Sequence, residues 1–238
     1  MEPWSIAAGA AGTAAALSAV AAWGAMAPSS QLYGPTIRNT RDADAIALTF
    51  DDGPNPAVTP KLLDLLEKHG ARGTFFVMGT HVRACPKIAS DALARGHVIA
   101  NHTETHPNLA LLSSRRIADE LVRCRDAILT ATSHTPRWMR PPFGGRGPTL
   151  DSTARAVGIA GVVMWSKWAW DWKPQRTERV IEYLRRVRGG DIVLLHDGDH
   201  RRLEGDREHT VAALEYWLPR WKDAGLRFVT AEDWSSST

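Results

Sequence analysis

The sequence predicts an α/β domain, a distorted (β/α) barrel of about seven units. Three observations predict it. Short apolar runs of strand type alternate with amphipathic helical stretches along nearly the whole chain, which argues for a mainly parallel sheet with helices outside. Polar and charged residues gather just after the apolar runs, where the strand ends of such a barrel converge. No glycine-rich dinucleotide fingerprint follows a strand, which favours a closed or nearly closed barrel over an open sheet. At 238 residues the chain suffices for one sizeable domain.

Residues 1–27 are a separate object. From Ile6 to Ala27, 22 residues carry no charge; as a helix they would reach roughly 33 Å and cross a ~30 Å hydrocarbon layer. The run closes on Ala25-Met26-Ala27-Pro28, the small-x-small pattern of a signal-peptidase site. Export to the cell envelope or the medium is the natural reading, either with the segment cleaved as a signal peptide or with residues 6–27 kept as a membrane anchor. Against it, no Lys or Arg precedes the run and the first basic residues, Arg38 and Arg41, lie beyond it. A domain left in the cytosol is the third reading.

Residues 28–43 form a linker, with Pro28-Ser29-Ser30 and Gly34-Pro35; the domain is expected over 44–232, with a tail at 233–238. The first strand, Ile46 to Phe50, stops on Asp51-Asp52-Gly53-Pro54. Thr59-Pro60 starts a helix through Lys68, with Leu62, Leu63, Leu65 and Leu66 on one face, and Gly70 ends it. Further strands are expected at Gly73–Met78, Val98–Ala100, Trp138–Arg140, Ala160–Trp165, Asp191–Leu195 and Arg227–Val229. Between them the pattern predicts helices at Pro86–Arg95, Ser114–Thr132, Leu150–Val157, Arg176–Arg188 and Thr210–Ala224. There is no internal repeat and no second domain boundary.

Composition removes some functions. A hydrophobic content of 44% and a charged content of 23% exclude disorder. The excess of 29 Lys+Arg over 26 Asp+Glu is scattered, the densest pairs being Arg115-Arg116, Arg185-Arg186 and Arg201-Arg202, so no basic stripe supports nucleic-acid binding. Two cysteines, Cys85 and Cys124, are too few for a disulfide scaffold; they can pair across neighbouring helices or remain separate core residues. Of ten Trp, four fall at Trp165, Trp168, Trp170 and Trp172, and alternation along a strand would keep them from all facing one way.

The chemistry begins at Asp51-Asp52. Adjacent carboxylates repel, and both stay ionised near neutral pH only beside positive charge, a metal ion or an arginine. Taken alone the tetrapeptide reads equally well as a surface turn. Other polar residues stand at later strand ends: His102, Arg140, Asp171 and His196-Asp197. In His102-Thr103-Glu104-Thr105-His106 the imidazoles are four apart, which on a helical turn puts both on one side. Two His with one carboxylate make a usual catalytic zinc set with a position left for water. A single His is more often a core or surface residue, and the zincin pattern wants Glu directly after the first His, where this chain has Thr103.

Five motifs, Thr49–Pro54 (TFDDGP), His102–His106 (HTETH), Arg140–Gly144 (RPPFG), Asp171-Trp172 (DW) and Leu194–His196 (LLH), occur in the order and approximate spacing of those of NodB-type polysaccharide deacetylases, carbohydrate esterase family 4. The chain resembles that family over roughly residues 44–232. The resemblance implies a NodB homology domain in which Asp52, His102 and His106 hold one divalent metal, usually zinc, with cobalt or another divalent ion as alternatives. It implies Asp51 as the general base, Arg140 as the arginine paired with it, His196 as the general acid and Asp171 as the carboxylate that orients it. Phe143 would supply a backbone N–H to the oxyanion, and Trp172 and Leu194 would wall the acetyl pocket. Two positions depart from the usual pattern: Trp168 replaces an acidic residue three positions before Asp171, and Phe143 replaces a tyrosine. Neither removes a catalytic atom, but both bear on substrate preference, with Trp168 and Trp170 either stacking on sugar or packing under the rim.

The expected activity is metal-dependent removal of N-acetyl groups from N-acetylglucosamine units of chitooligosaccharide, peptidoglycan or another surface glycan, by a monomer. One rival is a hydrolase of a non-sugar amide on the same barrel. The other is a non-catalytic glycan-binding barrel, which need not keep base, acid and all three ligands together.

Overall fold

The computed structural model describes residues 16–234; the first part of the expected signal or anchor, and the last residues of the expected tail, lie outside that range. Residues 16–26 are helical (α1). Among the described residues no helix is long and apolar enough to cross a membrane. The sheet strands are β1 (Thr36–Ile37), β2 (Ala45–Gly53), β3 (Gly73–Val77), β4 (Val98–Asn101), β5 (Trp138–Met139), β6 (Gly161–Val163), β7 (Lys167–Trp168), β8 (Ile192–His196) and β9 (Arg227–Phe228). The helices are α2 (Thr59–Lys68), α3 (Gly79–Ala84), α4 (Pro86–Ala94), α5 (Ser114–Thr132), α6 (Leu150–Ala156), α7 (Thr177–Leu184) and α8 (Glu208–Asp223). All expected strands and helices are present, with ends shifted by a few residues. The additions β1, β7 and α3 are too short to carry a hydrophobic period.

The strands run in the order β1-β6-β5-β4-β3-β2-β8-β7, with β9 on β2, and every strand pair is parallel. β6 and β7 lie near opposite ends of that order, yet only residues 164–166 separate them in the chain. The sheet must therefore curl until its ends almost meet. Met164 N–H donates to the Ile37 carbonyl at 2.7 Å on one side, and Ser166 N–H to the Ile192 carbonyl at 3.0 Å on the other. A bridge between Asn39 and Asp191 ties the same seam. The result is the distorted, nearly closed barrel that the sequence predicts.

Alternation along β2 divides the interior. Ile46, Leu48 and Phe50 pack outward under the helices with Leu62, Leu63 and Leu66 of α2. Ala47 points inward with Phe76, Ala100, Trp138 and Val163. Thr49 and Asp51 share Ala47's parity and so face the barrel interior. Strict alternation would send Asp52 outward. Instead the register slips between Asp51 and Gly53, and Asp52 takes a left-handed φ of 70°, which turns its carboxylate to the same cavity as Asp51.

Candidate active site

A cavity of about 580 Å³ opens at the carboxyl ends of the strands. Asp51, Asp52, His102, His106, Phe143, Trp172, Leu194 and His196 all line it. Arg140 and Asp171 lie directly behind, fully buried.

Asp51 and Asp52 part company at once. Asp51 Oδ1 accepts from Arg140 Nη1 at 2.8 Å, and the same nitrogen donates to Thr49 Oγ1 at 2.8 Å. Arg140 Nε and Nη2 donate to the Val163 and Met164 carbonyls, and its Cζ lies 4.3 Å from the Phe76 ring centroid. Burial disfavours the Arg140 charge and the Asp51 carboxylate opposes it, the net shift being downward. The positive neighbour that the acidic pair demands is this arginine.

Asp52 faces imidazoles. Its Oδ1 lies 3.4 Å from His102 Nε2 and 3.1 Å from His106 Nε2, and the three residues each offer one donor atom within 4.8 Å of the others. His102 Nδ1 is 2.8 Å from the Arg140 carbonyl oxygen, which accepts its proton and leaves Nε2 as the lone-pair donor. Asp52 Oδ1 is buried with no hydrogen bond of ordinary geometry. A carboxylate oxygen and two imidazole nitrogens converging on one point fit a divalent cation of the zinc type. Burial pushes the Asp52 carboxyl up, but the facing imidazoles of His102, His106 and His200 outweigh it and hold it well below the usual range. His106 is pushed down by burial and by its imidazole neighbours, despite Asp52, which favours the neutral ligand form.

The two imidazoles meet, but not on a helix. Residues 102–106 form an irregular loop in which Thr103 has φ 71° and His106 φ 61°. Side chains replace the helical ladder. Asn101 Oδ1 accepts from Thr103 N–H at 2.8 Å, Thr103 Oγ1 accepts from His106 N–H at 3.0 Å, and Glu120 on α5 accepts from both Thr105 N–H and its hydroxyl at 2.8 Å. Four of the seven non-glycine residues with positive φ among those described, Asp52, His106, Phe143 and Trp170, line the cavity, and such strain gathers at functional sites.

Across the cavity, His196 Nδ1 donates to Asp171 Oδ1 at 2.9 Å, and His196 N–H donates to Asp171 Oδ2 at 2.9 Å. Thr210 hydroxyl adds a third bond to that carboxylate at 2.8 Å. Burial lowers the affinity of His196 for a proton, and the Asp171 charge overcomes it, leaving the imidazole above its ordinary value. Asp197 turns beneath the site instead, its carboxyl pushed up to about 7 by burial and by the Asp51 and Asp52 charges.

All four tryptophans of the 165–172 stretch line the cavity, against the expectation from alternation. The stretch is not one strand: β7 is two residues long, and Trp170 at φ 57° bends the chain, so that Trp168 and Trp170 stack at 3.9 Å between centroids. His200, which the sequence reading passed over, stacks on His106 at 4.4 Å, with Nδ1 3.8 Å from Asp52 Oδ2. Its signal was its place four residues after His196 on the same strand-end loop. Met26 and Pro28, also unforeseen, complete the wall. Cys85 and Cys124 remain separate thiols; Cys124 is buried, donates to the Val77 carbonyl at 3.3 Å, and burial pushes it up.

The family model described as polysaccharide deacetylase matches residues 38–162. A chitooligosaccharide deacetylase of Bradyrhizobium sp. is 39% identical over 190 residues, covering 76% of this chain and 86% of the relative. A peptidoglycan-N-acetylglucosamine deacetylase of Bacillus cereus is 36% identical over 200 residues, covering 79% and 86%. Among solved structures, the peptidoglycan deacetylase PdaC of Bacillus subtilis superposes with a TM-score of 0.72 at 29% identity, covering 82% of this chain and 91% of that one. A CE4-family pseudoenzyme of Bacillus anthracis superposes with a TM-score of 0.72 at 27% identity, covering 80% of this chain and 64% of that one. The fold alone therefore does not separate catalysts from non-catalysts.

Proposed function

The chain belongs to the polysaccharide deacetylase family, and we propose that it hydrolyses N-acetyl groups from N-acetylglucosamine residues of chitooligosaccharide, peptidoglycan or a related surface glycan outside the cytosol. The observation that carries this reading is the convergence of an Arg140-paired Asp51, an Asp171-paired His196 and the Asp52-His102-His106 set on one cavity. A pure glycan binder needs none of these pairings.

A divalent cation, zinc by donor set, held by Asp52, His102 and His106 would supply Lewis acidity, lowering the pKa of a water and polarising the acetyl carbonyl. Asp51 takes the proton of the attacking water, its second oxygen aimed by the Arg140 bond to the first. The Phe143 N–H donates to the developing oxyanion. His196, its Nδ1–H held by Asp171, presents Nε2–H to the departing amine, so that the products are a free amino sugar and acetate. Leu194 and Trp172 enclose the acetyl methyl, and the stacked Trp168 and Trp170 offer an apolar face to a neighbouring sugar.

The test is acetate release by the full chain, stripped of metal and then reloaded with zinc, on chitooligosaccharide and on peptidoglycan side by side. Zinc-dependent release from either is expected and identifies the substrate class. No release from both, with zinc bound at one per chain, would move the reading to the amide hydrolase of the same fold.

A further inference from the structure

Arg146 is one of two fully buried arginines, with Arg207, that the deacetylase reading leaves unused. Its side chain is fully buried, and whereas Arg207 meets the Asp199 carboxylate at 3.5 Å, no carboxylate pairs with Arg146 among the described residues, its guanidinium bonding to backbone carbonyls. Nη1 donates to the Ser30 carbonyl at 2.8 Å, and Nη2 donates to the carbonyls of Ala27 and Gly24. Its own backbone N–H donates to the Ala25 carbonyl at 3.0 Å. These acceptors are the last turn of α1 and the chain just beyond it. A helix C-terminus carries partial negative charge and orphan carbonyls, so it serves as the counter-charge for a buried guanidinium.

The clamp joins two segments that matter. Arg146 lies three residues after Phe143, in the loop proposed to donate to the oxyanion. Residues 24–30 are the stretch a signal peptidase would divide, at Ala27-Pro28, and Met26 and Pro28 form part of the cavity wall. Gly24 is buried against Leu32, where an added Cβ would lie 2.4 Å from Leu32 Cδ2. Cleavage there would remove two of the three carbonyls that accept from the guanidinium and leave a buried cation underbonded. Upstream the helix turns to solvent, apart from the Tyr33 hydroxyl, which donates to the Ala21 carbonyl at 3.5 Å. Residues 16–23 are exposed and uncharged, with Leu17 66%, Val20 55% and Trp23 56% accessible. A helix apolar on every side is at home only in a protein core or a bilayer. The uncharged run in the sequence begins at Ile6, ten residues before the first described residue.

We propose that residues 16–30 are retained in the working protein, with α1 seated in a lipid bilayer and its last turn, gripped by Arg146, bracing the loop that carries Phe143. The cleft then opens at the membrane surface, and its substrate is glycan lying against that surface. Only the kinetic arm of the test rests on the deacetylase reading.

The full chain is expressed in a bacterial host, fractionated, and its intact mass determined. A mass that includes residues upstream of Pro28, in a membrane fraction released by detergent and not by alkaline carbonate, is expected; a soluble protein beginning at Pro28 overturns the proposal. In the full chain, Arg146→Met should lower kcat about 10- to 100-fold, as for a misplaced catalytic group, at unchanged zinc stoichiometry, and Arg146→Lys should restore part of it. Should Arg146→Met fail to accumulate, Met26→Ala reads the same wall, with KM raised several-fold at constant kcat. Wild-type kinetics in the variants that accumulate overturn the brace, and the mass result stands apart from any failure of the deacetylase reading.

Discussion

Asp51 lies 2.8 Å from the Arg140 guanidinium, whereas Asp52, next in the chain, faces the Nε2 atoms of His102 and His106. One carboxylate is thus held by a fixed cation and remains available to a water, and the other faces the two imidazoles of the proposed ligand set. Asp51→Asn should therefore cut acetate release by about 10²–10⁴-fold while zinc stoichiometry stays at one per chain; retained turnover would remove Asp51 from the role of base. His196 and Asp171 form the complementary pair. A general acid works only while protonated, so with His196 in that proposed role activity is expected to fall as pH rises through its pKa. Asp171 holds that pKa up, and Asp171→Asn should move the alkaline limb of the kcat profile to lower pH and lower the plateau. A limb that stays in place would mean that another group donates the proton.

At the scale of elements, the strand ends carry both what was legible in the sequence and what was not. The five motifs could be read because each couples an apolar strand run to a polar residue at its carboxyl end, a local pattern in one dimension. The geometry of 102–106 could not be read, since side chains of Asn101, Thr103 and Glu120 replace the helical ladder that the spacing suggested. Nor could β1 and β7, two residues each, or the Arg146 clamp, whose partners lie more than a hundred positions away. His97 shows another such long-range tie. Its Nδ1 accepts from Gly73 N–H at 3.1 Å where β3 begins, and its ring packs edge-on to Phe75 at 5.4 Å. Burial first, then Arg95 and Arg72, push its pKa down to about 4. The unfolded chain takes up that proton near pH 6.5, so stability is full above this value, declines as pH falls towards 4, and is flat below. The loss is on the order of 3 kcal/mol. Urea unfolding of the wild type and His97→Asn across pH 7 to 4 should show a shallower decline in the variant; parallel curves would exonerate His97.

For the whole molecule, the proposed ligand set is a product of closure. Asp52 comes from the end of β2, and His102 and His106 come from the loop after β4, with β3 between the two strands. The donor atoms meet only when the barrel has curled and α5 has anchored the loop through Glu120. An unfolded chain offers no such convergence, so a cation that binds there stabilises the native state by mass action. At a hundredfold excess over Kd the gain is about 2.7 kcal/mol, which in a domain of this size raises Tm by roughly 5–10 °C. Scanning calorimetry of the metal-stripped chain, with and without zinc, should show that rise, and His106→Ala should abolish it while leaving the metal-free Tm within a few degrees of wild type. A zinc-induced shift of equal size in His106→Ala would place the cation elsewhere and dissolve the three-ligand set. A wild-type Tm indifferent to zinc would mean that the buried Asp52 oxygen is reserved for a partner other than a metal.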